Sequence, residues 1–387
     1  MKSHSSNLSE MVSSVRTQFP IFERKVYLNS CSQGALSTAV EAGLLDHIAS
    51  WHEGGSPWDL WVQKYEEARR VFARLIGAEP DEVAIVASAS AGANGVASAL
   101  TFRERPKVVL GEFEFPTMGH IWLAQERRGA QVNFVAAEDG RLGLEAYERA
   151  IDQHTGIVPL TQVCFLNGFR SDVAGVVRLA HQRGALVLLD GYQDCGTRPL
   201  DVKALDVDFY VSGTLKYLLG AAGVAFLYVR RDLVRSLVPT ITGWFGQTNP
   251  FSFDARHLDP APAARRFESG TPPIINLYAA MPGIELLLDT GLEAVASHVA
   301  SLARLLVEGA RQLRVRVKTP GDTVGPLVVL QARDLDEMLR RLDARGIIAS
   351  GRYDGLRISF HVYNTPGDVE QVLQALEDNL DLMVREE

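Results

Sequence analysis

Ala185-Leu-Val-Leu-Leu-Asp-Gly-Tyr-Gln193 and, after a short link, Val207-Asp-Phe-Tyr-Val-Ser-Gly-Thr-Leu-Lys-Tyr217 each open on an apolar run of buried-strand length and reach a polar group beyond it. Asp190 and Lys216 therefore fall just past strand ends. In open α/β sheets that edge is where ligands bind.

Taken singly, an Asp in such a place reads as a turn or N-cap residue, and a Lys as a solvated charge. Together, on neighbouring strand ends framed by glycines, a carboxylate and an amine suit pyridoxal 5′-phosphate. Lys216 is then the catalytic residue that forms the Schiff base, and Asp190 pairs with the pyridine nitrogen and keeps it protonated.

Asp190-Gly-Tyr-Gln193 and Ser212-Gly-Thr-Leu-Lys216-Tyr-Leu-Leu-Gly220 resemble the cofactor segments of class V aminotransferase-type enzymes of fold type I, above all the kynureninase-like and cysteine lyase or desulfurase branches. The likeness runs from about Tyr27 to Asn364. It implies an α/β fold with a seven-stranded, mostly parallel sheet covered by helices on both faces, and a smaller α+β C-terminal domain. The expected division is a flexible segment at 1–25, a large cofactor-binding domain at 26–276 and a small domain at 277–387. Gln193, at the cofactor's phenolic oxygen, and Thr214 follow as cofactor contacts.

Bulk composition agrees with a globular enzyme. The chain has 387 residues, 47% hydrophobic and 22% charged, with a net charge of −8, which leaves no basic footprint for nucleic acid or anionic membrane. Its three cysteines, Cys31, Cys164 and Cys195, have neither disulfide-scaffold nor metal-ligand spacing, so no metal is expected. The polar, Ser-rich start and the lack of a transmembrane-length apolar run point to the cytoplasm.

Along the chain, Val26-Tyr-Leu-Asn-Ser30 leads into a loop that is either a turn before a helix at 38–51 or, as the resemblance implies, a contributor of Asn29, Ser30 and Gln33 near the substrate. Val62, Tyr65, Ala68, Phe72 and Leu75 make the apolar stripe of a helix at 62–76. A strand at 83–88 then meets the small-residue loop Ala89-Ser-Ala-Gly-Ala-Asn-Gly95, which opens a helix. Free N–H groups and a helix dipole there suit a phosphate, although such loops also serve close packing. Ser90-Ala-Gly-Ala-Asn94 resembles the family's phosphate loop, usually Thr-Glu-x-x-Asn, so Ala89, Ser90 and Ala91 are expected cofactor contacts.

Strands follow at 107–110, 131–136 and 161–168, and helices at 142–151 and 173–183. Phe115, in Phe-Pro-Thr117 like that of kynureninase, either packs in the core or stacks on the pyridine ring; stacking is the reading adopted. Phe165 stands near the place where desulfurase-like relatives carry Asn, leaving Asn167 as either the hydroxyl partner or a turn residue. The link after Lys216 is too short for a parallel crossover, so the strand at 224–229 should run antiparallel. Gly243-Trp-Phe-Gly246 and Arg266-Phe-Glu-Ser-Gly-Thr-Pro-Pro273 read as a Trp over the core and a Pro-terminated loop. By resemblance they place Trp244 on the cofactor phosphate and Thr271 on the partner's phosphate across a homodimer.

In the small domain, Gly355-Leu-Arg-Ile-Ser-Phe360 puts Arg357 inside an apolar strand. A buried guanidinium needs an anion. That anion is either a structural carboxylate or, the preferred reading, the substrate's α-carboxylate in bidentate geometry. Residues 334–357 contain no Cys, whereas desulfurases of this superfamily carry a nucleophilic one there. The expected function is thus a lyase acting on an amino acid, by β-elimination such as carbon–sulfur cleavage or by kynureninase-like cleavage. An aminotransferase or amino-acid epimerase is the alternative, and a non-catalytic cofactor-binding protein the minor one. Trp58, Trp61 and His120 are as much core as substrate candidates.

Overall fold

The computed structural model describes residues 10–322 and 324–386. Its strands are β1 (Val26–Tyr27), β2 (Val83–Val86), β3 (Lys107–Gly111), β4 (Gln131–Val135), β5 (Thr155–Thr161), β6 (Leu186–Asp190), β7 (Phe209–Gly213), β8 (Ala225–Val229), β9 (Leu327–Gln331), β10 (Ile347–Ile348), β11 (Ser350–Arg352) and β12 (Gly355–Ser359). Seven of them form one sheet in the order β2-β8-β7-β6-β5-β3-β4. Only β8 runs antiparallel to its neighbours. The expected α/β sheet, with its single reversed strand, is therefore present.

Alternate side chains of these strands enter opposite layers, as the strand period of two requires. Val109, Val158, Leu160, Val187, Leu189 and Tyr210 face one apolar cluster. Val108, Leu110, Ile157, Leu188, Phe209 and Val211 face the other. Helices cover both faces: Trp58–Leu75 and Val173–Gln182 lie over the first, and Ala89–Ala99 and Pro116–Ala124 over the second. Phe72 of the first layer stacks on Phe226 at 4.2 Å between centroids. Each such buried side chain contributes about 1.5–3 kcal/mol.

Expectation and structure part at β5. The strand is Thr155–Thr161, and 162–168 is the loop beyond it rather than the strand itself. Gly156 and Pro159 disguise the true segment, because both residues weaken a ladder. Gly168, at φ 74°, closes the loop as a turn, and Asn167 serves that turn by accepting from Phe169 N at 2.9 Å and donating to Gly140 O at 2.8 Å.

The antiparallel sheet β11-β12-β9 lies toward the C-terminus. β1 pairs with β10, in parallel, so the segment from Val26 is hydrogen-bonded to that same region. The expected flexible lead at 1–25 needs correction. Its first nine residues lie outside the described part, but Phe19 is buried against Tyr363 at 4.7 Å, and Arg16 pairs with Asp368 at 2.7 Å. Apolar Val12, Val15 and Phe19 supply burial that a Ser-rich composition conceals. Among the described residues no single helix is long and apolar enough to cross a membrane.

Candidate active site

The carboxyl ends of β5, β6 and β7 open onto a cavity of about 270 Å³. Asp190 ends β6, and Lys216 follows β7 by three residues. Ala89, Ser90, Phe115, Phe165, Gln193 and Lys216 line the cavity together with Asp190. So do Ser88, Thr117, Met118, Thr161, Val163, Tyr192 and Leu215.

Lys216 Nζ lies 4.3 Å from the centre of the Tyr192 ring and 5.7 Å from that of Phe115. Burial lowers its pKa from 10.5 to about 8; the Arg357 and Arg352 charges push the same way, against Asp190. Neutral amine is thus far more accessible near neutrality than for an ordinary lysine. Asp190 Oδ1 accepts from Tyr192 N at 2.9 Å. Burial raises its pKa, opposed by that bond and by Lys216.

A third titratable group stands behind the pair. Glu114, buried, accepts from Thr161 N at 2.6 Å, and its Oε2 is buried without a partner. Thr161 and Asp190 are register partners, so the two carboxyls stand at adjacent strand ends. Burial first, then Asp190, pushes Glu114 up to about 8. The sequence signal was available: an acid between Phe113 and Phe115, just past β3, is a charge in apolar company.

Ser88, also in the cavity lining, caps the helix Ala89–Ala99 by accepting from Ala91 N at 3.0 Å. The first-turn N–H groups of Ala89 and Ser90 have no carbonyl of their own helix to bond. Ser90 Oγ and Thr117 Oγ1 stand 3.1 Å apart beside them. Helix end and hydroxyls together make an anion seat. The cavity thus offers a flat aromatic wall at Phe115, an amine, a carboxylate and an anion seat, the donor set that a phosphorylated pyridine aldehyde needs.

Arg357 is 2% exposed. Its Nη2 donates to Ser32 Oγ at 2.8 Å and Ser350 Oγ at 2.9 Å, and Nη1 donates to Phe165 O at 3.4 Å. Nε is buried without a partner. Among the described residues no carboxylate pairs with it, so a structural counter-ion is not the answer there.

Several expected contacts sit elsewhere. Ser30 Oγ is bonded to Tyr363 Oη at 2.7 Å, and Asn29 forms a bridge to Ser359; the nearby loop residue that reaches Arg357 is Ser32. Thr214 Oγ1 donates to Ala221 O at 2.6 Å, closing the turn after β7 instead of facing the cavity. Ala91 spends its N–H on the Ser88 cap. Gln193 does line the cavity, but its Nε2 donates to Cys31 O at 3.0 Å, and its Oε1 is buried unpartnered. Trp244 packs with Trp58, Phe245 and Phe253, and Thr271 is exposed; neither lines the cavity of its own chain. Trp58, Trp61 and His120 do not line it either: the two Trp pack on each other, Trp61 against His47, and His120 is exposed. No group of three or more His, Cys, Asp or Glu among the described residues could hold a metal.

The family model for aminotransferase class-V matches residues 47–372. The chain is 34% identical to an uncharacterized aminotransferase, YcbU, of Bacillus subtilis, over 93% of this chain and 96% of that one. It is 30% identical to a kynureninase of Deinococcus radiodurans, over 95% and 92% of the two chains. The solved apo structure of a cysteine desulfurase from Thermococcus onnurineus superposes with a TM-score of 0.86, at 22% identity, over 95% of this chain and 98% of the other.

Proposed function

The chain belongs to the class-V aminotransferase family of pyridoxal-phosphate-dependent enzymes, and on that premise we propose that it is a lyase that cleaves a bond in the side chain of an amino acid. The observation that carries this reading is Arg357, buried, without a carboxylate partner and one hydrogen bond short, beside the cavity that holds Lys216. Leaving a buried guanidinium unpaired costs several kcal/mol. A substrate α-carboxylate removes that cost and fixes the amino acid's orientation.

Ser90, Thr117 and the N–H groups of Ala89 and Ser90 would hold the cofactor's phosphate, Phe115 would cover its ring, and Asp190 would face its ring nitrogen. The cofactor supplies an electron sink for charge developing at the substrate's α-carbon. Lys216 is the covalent anchor and then the base: a buried amine near pKa 8 can take a proton from the α-carbon and return it. Asp190, held by Tyr192 N–H, keeps its second oxygen for a cation. Phe115 and Phe165, edge to face at 5.0 Å, form an apolar wall of the cavity.

A persulfide-forming desulfurase needs a mobile thiol. All three cysteines are buried, and burial pushes Cys164 and Cys195 up to about 11 and about 12. That supports elimination or kynureninase-like cleavage over desulfuration. An aminotransferase is the second reading, favoured by the name of the Bacillus relative. For assembly we infer a homodimer: Leu45, Ile48 and Trp51 of the helix Thr38–Gly54, with Phe251 and Phe253, expose apolar surface beside Trp244, and Thr271 is free to reach a partner's site.

The test incubates holoenzyme with a panel of L-amino acids. Pyruvate, alanine or ammonia released without an acceptor marks the lyase. A 2-oxo acid formed only with an amino acceptor marks the aminotransferase. Lys216→Ala should abolish turnover and the visible absorption of the lysine-linked cofactor; turnover that survives it would refute the assignment.

A further inference from the structure

Two guanidinium groups stand on one face of the hairpin that carries Arg357, and among the described residues neither has a carboxylate partner. In the hairpin β11–β12, Ser350 stands opposite Arg357 and Arg352 opposite Gly355. Strand residues two apart share a face. Arg352 therefore stands on the face of Ser350, whose Oγ accepts from Arg357 at 2.9 Å and lies 3.7 Å from Cys31 Sγ.

Arg352 is exposed, and among the described residues its guanidinium bonds the carbonyl of Gly351, at 2.7 Å, and no side chain. The hairpin's own acid, Asp354, is taken by Lys318 and by Gln331. Among the described residues no carboxylate pairs with Arg352 or Arg357. Arg352 stands diagonal to Arg357 on the same face of the hairpin, and the Arg357 charge adds to partial burial in lowering its pKa. Asp190, which opposes the two arginines at Lys216, is tied to Tyr192 N–H.

One α-carboxylate neutralises Arg357 and leaves Arg352, on the same face of the hairpin, as a second guanidinium without a carboxylate partner among the described residues. We propose that the substrate is an amino acid whose side chain carries a second anionic group, a carboxylate or a sulfinate, and that Arg352 is the residue that reads it. The inference rests on the amino-acid reading above and adds the substrate class. Arg352 acts by binding that anionic group. A guanidinium–carboxylate contact of this kind is a charge-assisted hydrogen bond, which discriminates by roughly 10- to 100-fold against a neutral isostere.

The test titrates holoenzyme with L-aspartate and with its neutral isostere L-asparagine, and in parallel with L-cysteine sulfinate and L-cysteine, following the cofactor's absorbance to obtain Kd. The expected result is binding of the anionic member of each pair at least about tenfold tighter. In Arg352→Gln that ratio should fall to within about twofold of unity, and Arg352→Lys should keep part of it because the charge remains. Equal affinity within the pairs, or a preference that survives Arg352→Gln, overturns the inference and leaves the amino-acid reading standing. Absorbance that responds to no amino acid at all overturns both.

Discussion

Removing the carboxylate of Glu268 should unfasten the loop that carries Thr271. Glu268 is 2% exposed and follows the turn Ala264–Phe267. Its carboxylate accepts from Arg69 Nη1 at 2.7 Å, from Ile85 N of β2 at 2.8 Å and from the hydroxyl of Tyr65. It thereby ties the loop both to the helix Trp58–Leu75 and to the sheet. In Glu268→Ala, Arg69, itself 3% exposed, keeps Glu66 at 3.0 Å and the carbonyl of Val83 but loses its buried counter-ion. Breaking one side of a buried ion pair costs about 3–5 kcal/mol. The orphaned Ile85 N–H and Tyr65 hydroxyl belong to the same network, so their penalties do not simply add. Glu268→Gln keeps the shape and an acceptor and should lose about 1–3 kcal/mol. The assay is denaturant unfolding of cofactor-free protein, read as a shift of midpoint at unchanged slope. Cofactor affinity should fall in the same order, Ala below Gln below wild type. An Ala variant within about 0.5 kcal/mol of wild type, the scatter of neutral surface changes, would refute the reasoning.

Two further outcomes follow from the same geometry. Glu114 is raised from 4.5 to about 8, so the stability it contributes is complete below 4.5 and is lost as pH rises through about 8; relative to Glu114→Gln, the wild type should lose stability across that window, and parallel profiles would sink the idea. Lys216 shifts in the same range but is common to both proteins, as is Asp190, whose charge helps to raise Glu114, while Tyr147 and Cys164, which feel Glu114, are pushed higher still. For Thr271, mixing Lys216→Ala with Thr271→Ala subunits should regenerate a wild-type-like site in each hybrid dimer, because one subunit supplies the lysine and the other the threonine; no recovered activity in isolated hybrids would mean that Thr271 serves its own chain.

How legible the molecule is in its sequence depends on how local the cause is. Apolar runs such as Leu186–Asp190 and Phe209–Gly213 declare buried strands because the sheet is covered on both faces. Asp190 and Lys216 follow from those runs by counting. β5 stays hidden behind Gly156 and Pro159, where the demands of the sheet override local propensity. Hydroxyl roles are the least readable: Ser30 and Thr214 look like ligands, yet Tyr363 and Ala221 claim them. Ser32 and Ser350 look like nothing in sequence, because they meet at Arg357 only after 325 residues of chain fold back in one case and through strand register in the other.

That return of the chain gives the site its coherence. β1 pairs with β10, and beyond it Leu28 O accepts from Ser359 N at 3.0 Å and Cys31 N donates to Ser359 Oγ at 2.9 Å, so the segment after Val26 lies along the strand that carries Arg357. Gly34 N then donates to Leu215 O at 2.7 Å; a Cβ at Gly34 would meet Lys216 O at 2.4 Å, so only glycine permits the approach. From the other side His361 Nε2 donates to Tyr217 O at 2.7 Å, in a tautomer fixed by Val362 N–H on Nδ1, and burial holds its pKa near 4, so it stays neutral. The backbone on either side of Lys216 is thus clamped by the two segments that frame Arg357. The separation of the two backbones that carry Lys216 and Arg357 is set by hydrogen bonds. The backbone at Lys216 and the strand that carries Arg357 are thereby held in one fixed frame.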